Sequence, residues 1–246
     1  MTYYEPYKAS IQEFPMSNLA SLVRSETLAQ QGYKAIRRAI RDGKIPRGQF
    51  FSESTLAESL GVSRTPVREA LLNLYRDGVV EIVPKRGYRL IDLDDEAIDE
   101  IRLLRVALEQ IVVDRLCQTV TAEEIAELRS IVNGAGESQA DMYTIDEAFH
   151  IRMAEMAGFH QIRRELLSVR GKMYLIASGA RLNSMRDETV VAEHNELLDA
   201  LEKRDCKGAR RAITSHVEHS IDAFVEARAQ LLEQSGLDRL SSAPPR

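Results

Sequence analysis

No proline occurs between Pro84 and Pro244, a stretch that makes up most of the 246-residue chain. Proline interrupts a helix because it lacks a backbone donor and its ring clashes with the preceding turn. From Asp94 onward apolar residues recur at helical spacing, without the alternation typical of strands. The spacing predicts helices at 95–118, 121–134, 138–157, 160–182, 187–204 and 206–234. We therefore predict an all-helical bundle of about six to seven helices over residues 94–235.

Residues 26–93 show a different pattern. It predicts helices at 27–41 and 53–60, a third helix that starts at Ser63, and strands at 79–83 and 88–91. Gly61 ends the second helix, and we expect the hydroxyl of Ser63 to cap the third. The strands flank Pro84-Lys85-Arg86-Gly87, which indicates a hairpin. Two helices joined by a glycine-containing turn and followed by a hairpin are typical of a winged helix-turn-helix.

The predicted fold is therefore mainly α, with an N-terminal winged helix-turn-helix and a C-terminal helical bundle. We place an N-terminal arm at 1–25, the winged domain at 26–93, the helical domain at 94–235 and a disordered tail at 236–246. No apolar run is long enough to cross a membrane, and the N-terminus does not resemble a signal peptide. The two cysteines, Cys117 and Cys206, form neither a disulfide scaffold nor a thiolate zinc site, so we expect no cross-link and a cytoplasmic location.

The net charge of −5 conceals two domains of opposite sign. Residues 26–93 carry 12 Lys and Arg against 8 Asp and Glu, a net charge of +4. Residues 94–246 carry 19 Lys and Arg against 28 Asp and Glu, a net charge of −9. Such asymmetry favours a nucleic-acid partner for the basic domain.

The third helix offers the side chains of a recognition helix, whose N-terminal residues reach base edges in the major groove. Arg64 can donate two hydrogen bonds to a guanine, whereas Ser63 and Thr65 suit phosphate oxygens. An isolated pair of arginines is more often a solvated face, but the position before a basic hairpin favours DNA contact. We predict DNA binding by Ser63, Arg64, Thr65, Arg68, Lys85, Arg86 and Gly87.

Three of the five histidines lie on apolar faces of the C-terminal helices. His150 follows Asp146 by four residues, so the two share a helix face, and His194 and His216 lie on apolar stripes of later helices. Buried polar groups cost free energy unless they satisfy one another. Three imidazoles and a carboxylate suit Zn²⁺, Ni²⁺ or Mn²⁺, with positions left for water or a ligand. Lone histidines on apolar faces are more often hydrogen-bonded core residues, so the pattern alone leaves both interpretations open.

Several motifs in the winged domain occur at fixed spacing. They are Pro46-x-Gly48, Glu53-x-x-Leu56-Ala57, Gly61-Val62-Ser63-Arg64-Thr65-Pro66-Val67-Arg68-Glu69-Ala70-Leu71, Gly78 and Gly87. This stretch resembles the winged helix-turn-helix of the GntR family of bacterial transcription regulators. The resemblance implies that Arg64 and Arg68 contact DNA and that the turn at Gly87 lies in the minor groove. Some relatives have an arginine where this chain has Ser54, so no base contact is implied there.

Four segments of the helical domain carry a second resemblance. They are EIRLLRVALE from Glu100, DEAFH from Asp146, EHNELLDAL from Glu193 and AITSHV from Ala212. They resemble the C-terminal domain of the FadR-type (FCD) branch of the same family. In its metal-containing members the ligands are one Asp and three His, which correspond here to Asp146, His150, His194 and His216. Their presence disfavours the acyl-CoA-binding variant, which has no metal.

The resemblance also implies an effector that is a small organic acid, with its carboxylate on the metal beside an arginine. Arg105 is the first candidate for that arginine, and Arg102 and Arg181 are weaker ones. An ion pair with Glu109, four residues on, explains Arg105 equally well.

We therefore predict a homodimeric transcription regulator, a repressor, that binds double-stranded DNA at a palindromic operator and is not an enzyme. Its helical domain would dimerise and bind a small carboxylate metabolite at a divalent transition metal. Two alternatives stay open. One is a helical metalloenzyme whose Asp/His site activates water, although no motif such as H-E-x-x-H supplies a general base. The other is a constitutive DNA-binding protein whose helical half only dimerises.

Overall fold

The computed structural model describes residues 26–134, 142–176, 178 and 184–235. Within these ranges the elements are α1 (Leu28–Arg41), α2 (Glu53–Leu60), α3 (Arg64–Arg76), β1 (Val80–Val83), β2 (Gly87–Leu90), α4 (Asp95–Thr119), α5 (Ala122–Asn133), α6 (Met142–Met156), α7 (His160–Ile176), α8 (Ser184–Glu202) and α9 (Cys206–Ser235). The predicted fold class is confirmed, with six helices in the described part of the helical domain. The predicted arm and tail lie outside the described residues. No described helix has the length and apolarity that a bilayer-spanning segment needs.

The winged domain (residues 26–93) is built on the packing of α1 against α3. A Cβ placed on Gly32 would lie 3.6 Å from that of Ala70, so the two helices approach closely. Gly61 ends α2 in the left-handed conformation, as predicted. The prediction for Ser63 is wrong, because its side chain makes no capping hydrogen bond. Pro66 occupies the third position of α3 and lacks one of the N–H groups that a capping side chain normally binds.

The wing is the antiparallel pair β1–β2, in which Val83 pairs with Gly87. Pro84, Lys85 and Arg86 form the turn, and Gly87 lies at its base. Gly87 has φ +104°, and a Cβ there would lie 2.5 Å from the carbonyl oxygen of Phe51. This position therefore requires glycine for two reasons, the backbone conformation and the close approach.

Replacing Gly87 with alanine is expected to destabilise the protein by about 2–4 kcal/mol, because strain and a backbone clash act together. Urea unfolding would measure the loss. Gly48→Ala is the matched control, since Gly48 has φ +70° but nothing within 4 Å of its Cβ position. We expect the control to cost only about 1 kcal/mol. Equal losses in the two variants would contradict a role for the Phe51 approach.

One hydrophobic core joins the two domains. Ile40 of α1 and Leu74 of α3 belong to the same buried cluster as Ile176 of α7 and Phe224 of α9. The side chain of Asp94 accepts a hydrogen bond of 2.8 Å from Ala97 N and so caps α4, the first helix of the region that we call the helical domain (residues 94–235). The winged domain is therefore packed against the bundle rather than tethered to it.

A disulfide joins Cys117, near the end of α4, to Cys206, at the start of α9. The expectation of no cross-link is therefore wrong. The two cysteines are 89 residues apart in the chain, and only the packing of α4 beside α9 brings them together. Arg204 reinforces the junction by donating to the carbonyl oxygens of Cys117 and Val120.

Candidate metal centre and DNA-binding surface

The four predicted ligands converge at the centre of the helical domain. Asp146 and His150 come from α6, His194 from α8 and His216 from α9. Asp146 Oδ1 lies 3.2 Å from Nε2 of His194, 3.2 Å from Nε2 of His216 and 3.4 Å from Nε2 of His150. The Nε2 atoms of His150 and His216 are 3.0 Å apart. Four donor atoms on three helices thus surround one point.

This donor set fits a divalent transition metal. Metal bonds of about 2.0–2.1 Å in a tetrahedral or octahedral shell place neighbouring donor atoms about 3.0–3.4 Å apart, which matches the distances above. Asp146 Oδ1 is buried without a hydrogen-bond donor. A cation at the common point would satisfy that oxygen and three imidazole lone pairs at once. Hydrogen bonds among the four groups cannot do so, because a neutral ring that donates through Nε2 no longer accepts there.

Carboxylates behind the ligands orient two of the rings. The Nδ1 of His150 contacts the carboxylate of Glu109 on α4. The Nδ1 of His216 lies 2.9 Å from Glu193 Oε2, and the other oxygen of Glu193 is 2.8 Å from the exposed His219. A carboxylate on Nδ1 fixes the tautomer whose Nε2 is free to bind a metal.

The electrostatic environment favours the ligand forms of Asp146, His150 and His194. Burial lowers the pKa of His150, and it lowers the pKa of His194 to about 3, which keeps both rings neutral. Burial opposes the charged form of His216 as well, but the nearby carboxylates of Asp146 and Glu193 raise its pKa. Although burial alone raises the pKa of Asp146, the adjacent Arg170 guanidinium holds it well below the usual range. Asp146 is therefore an anion, as metal binding requires.

Of the two described arginines predicted beside the metal, Arg105 lies at the site. It is fully buried, and its Nε donates to Glu109 Oε1 at 2.9 Å, so the ion pair with Glu109 is present. Its Nη1 contacts the sulfur of Met173, and its Nη2 has no partner. Arg102 instead faces the surface and binds Asp222 at 2.8 Å. Arg181 lies outside the described residues.

Sequence reasoning missed Arg170, Glu193 and the contact of Glu109 with His150. Arg170 of α7 is buried and binds the carboxylate of Asp146. It occurs between Val169 and Met173 on a buried stripe, so the rule that singled out the histidines also applies to it. Glu193 directly precedes His194, but nothing in that order shows that it reaches the ring of His216.

The predicted DNA-binding residues form an accessible surface on α3 and the wing. The side chains of Arg64 and Arg68 are 65% and 59% exposed. Ser63, Thr65, Lys85 and Arg86 are also exposed, whereas Gly87 is half-buried. The cationic side chains are therefore accessible to a phosphate backbone.

Glu53, at the start of α2, organises this surface and was not predicted to do so. Its carboxylate accepts from Arg68 Nη2 at 2.8 Å and from the hydroxyl of Tyr88 in β2 at 3.1 Å. The hydrogen bond from Arg68 lowers the pKa of Glu53, so the carboxylate is ionised at neutral pH. One side chain therefore links α2, α3 and the wing and fixes the direction of Arg68.

Comparison with family models matches both domains. Residues 28–90 match the bacterial regulatory proteins of the gntR family. Residues 100–219 match the FCD domain. The two matches include α3, the wing and all four candidate metal ligands.

Individual relatives are also described as transcriptional regulators. The chain is 36% identical to an HTH-type transcriptional regulator in the TAR-I ttuE-ttuC′ intergenic region of Agrobacterium vitis, over 58% of this chain and 90% of that protein. It is 23% identical to the HTH-type transcriptional repressor RspR of Escherichia coli, over 84% and 92% of the two chains. Among solved structures, Escherichia coli McbR/YncC shares the fold with a TM-score of 0.68 at 21% identity, covering 82% of this chain and 99% of that one.

Proposed function

The chain belongs to the gntR family of bacterial regulatory proteins and carries an FCD domain, and we propose that it is a repressor controlled by a small organic acid. Members of this family are transcription regulators, so the protein is a transcription regulator and not an enzyme. The acid would bind at a divalent transition metal, Zn²⁺, Ni²⁺ or Mn²⁺, in the helical domain. The observation that carries this proposal is the convergence of Asp146 Oδ1 with three imidazole Nε2 atoms within 4.8 Å of one another.

Each residue of the site has a part in this proposal. Asp146, His150, His194 and His216 would hold the metal, which when bound supplies open positions for a carboxylate. Glu109 and Glu193 orient His150 and His216 through their Nδ1 atoms. Arg105 offers its unpartnered Nη2 as a donor to the acid.

In the winged domain, Arg64 would read a base edge in the major groove. Ser63, Thr65 and Arg68 would contact the backbone and flanking bases, and the wing residues Lys85, Arg86 and Gly87 would reach the neighbouring groove. Since phosphate contacts release counterions, operator affinity should fall steeply as salt rises, despite the acidic net charge of the whole chain.

An exposed apolar face on α4 supports a homodimer. Leu103, Leu104 and Ile111 are 70%, 49% and 45% exposed. Leu104 and Ile111, seven residues apart, lie on one side of the helix. The same face on a second copy would cover it in a twofold dimer, which matches the symmetry of a palindromic operator.

Replacing Leu104 with aspartate is expected to convert the dimer into a monomer, because a buried, unpaired charge opposes association. We expect the dimer dissociation constant to rise at least about 100-fold, measured by size exclusion with light scattering. Leu28→Asp is the control, since Leu28 is also exposed but lies on α1. Dimerisation that survives Leu104→Asp would place the interface elsewhere.

A titration of DNA binding tests the proposed function as a whole. A DNA duplex that the protein selects from a random pool serves as the operator. Fluorescence anisotropy then gives the Kd of the Zn²⁺-loaded protein for this duplex, without and with each of a panel of small carboxylic acids. We expect one acid to raise the Kd at least about tenfold and a chelator to remove its effect. A protein that holds no metal, and whose DNA affinity no acid changes, would instead be the constitutive DNA-binding protein considered above.

A further inference from the structure

Two neighbouring residues of α6 face different parts of the molecule. Asp146 points to the metal centre, whereas Glu147 binds Arg37 of α1, in the winged domain. Arg37 Nη1 donates to Glu147 Oε1 at 2.9 Å, and Nη2 contacts the other oxygen. Adjacent residues of one helix thus join the metal centre and the winged domain.

The pair between Arg37 and Glu147 is largely buried. Arg37 is only 6% exposed, and its guanidinium lies 4.3 Å from the ring centre of Tyr174 on α7. The hydroxyl of Tyr174 is 3.4 Å from Glu147 Oε2. A buried ion pair contributes little net stability against an apolar pair, but it disfavours any arrangement that separates its charges.

A second set of contacts connects Asp146 to Arg37 through α7. Arg170 binds the oxygen of Asp146 that faces away from the three imidazoles. Tyr174 follows Arg170 by four residues, so both lie on one face of α7. Asp146 is thus connected to Arg37 through both α6 and α7.

On the winged side the path ends at the recognition helix. The guanidinium of Arg37 lies 5.4 Å from the ring of Tyr33, whose hydroxyl donates to Asp77 at 2.6 Å. Asp77 is the C-terminal cap of α3. The contacts run without a break from a metal ligand to the end of the helix that carries Arg64.

The geometry points to Arg37 and Glu147 as positioning residues that transmit occupancy of the metal centre to the winged domain. This inference rests on the proposed function and specifies how the site would control DNA binding. Another polar contact between the domains, from Arg47 to the carbonyl of Ile176 at 3.2 Å, does not involve a sequence neighbour of a metal ligand. Occupancy of one site can shift another only through an element that both sites bias, and the ion pair is such an element.

Amide hydrogen exchange with and without one equivalent of Zn²⁺ tests the inference. In the wild-type protein we expect Zn²⁺ to slow exchange in α6 and also, by at least about fivefold, in α1. In the double variant Arg37→Met/Glu147→Met, Zn²⁺ should still protect α6 but change exchange in α1 less than about twofold. The double variant avoids an unpaired buried charge and should stay folded, as a melting curve would show.

Arg47→Met is the matched control, because it also removes an arginine contact between the domains. It should retain the wild-type response of α1, and an equal loss in this variant would contradict the inference. Persistent protection of α1 in the double variant would overturn it, as would a wild-type protein in which Zn²⁺ protects α6 alone. A wild-type protein that binds no Zn²⁺ would instead overturn the metal site of the proposed function.

Discussion

Replacing His194 with alanine is expected to abolish stoichiometric metal binding and to remove the thermal stabilisation that metal provides. The variant loses one of four ligands and also the stacking of His194 on Phe149, whose ring centres are 4.1 Å apart. Changes behind a metal ligand typically cost about 10–100-fold in affinity, and loss of the ligand itself should cost more. A metal at a thousand times its Kd stabilises a protein by about 4 kcal/mol, so Tm should fall by roughly 10 °C in metal-containing buffer.

Elemental analysis of dialysed protein, together with melting curves with and without a chelator, would measure both effects. His160→Ala is the control, because His160 is exposed at the start of α7 and is not one of the four ligands. In the control, metal content and the chelator-dependent change in Tm should match the wild type. A wild-type protein without metal at neutral pH, or a His194→Ala variant that retains it, would contradict the site.

The fold was predictable from the sequence because its signals are local. The absence of proline between Pro84 and Pro244 and the apolar spacing indicated the order of the helices, and Gly61 marked the turn before α3. Local signals failed where another residue of the same helix, or a second element, decides the outcome. The pattern placed Pro66 correctly in the first turn of α3. Because Pro66 has no N–H, it also removes one donor for the cap that was expected from Ser63.

The candidate site was predictable in its ligands but not in the groups around them. A histidine on an apolar stripe is visible in the sequence, so His150, His194 and His216 could be named. The partner of each ring cannot be read in this way, because Glu109 and Glu193 reach their histidines from other helices. The same limit explains why the disulfide between Cys117 and Cys206 was missed, since its formation depends on packing over 89 residues of chain.

On the candidate DNA-binding surface, too, the sequence indicated the main residues but not the group that contacts them. Arg64 and Arg68 were identified from their position on the third helix, but Glu53 distinguishes them. Arg68 donates to Glu53 through Nε and Nη2, whereas Arg64 lies 3.7 Å from the same carboxylate. Arg68 is therefore held in place, and Arg64 is the more available of the two for a base edge.

Replacing Arg64 with alanine is accordingly expected to weaken binding to the selected duplex by about 5–150-fold, the loss that corresponds to one bidentate contact with guanine. Binding to a random duplex should weaken only about twofold to threefold, since the variant loses a single positive charge near the DNA phosphates. Anisotropy titrations on both duplexes at one salt concentration would give the two ratios.

Arg76→Ala provides the comparison that isolates base reading from charge. Arg76 lies on the same helix and carries the same charge, but it is at the C-terminal end, where its Nη1 contacts Asn73 at 3.3 Å. Because both variants remove one positive charge from α3, a purely electrostatic role predicts similar losses on the two duplexes. A base-reading role predicts that Arg64→Ala alone reduces the ratio of specific to random affinity. Equal reductions in both variants would assign Arg64 to the backbone and move base recognition to another residue of the surface.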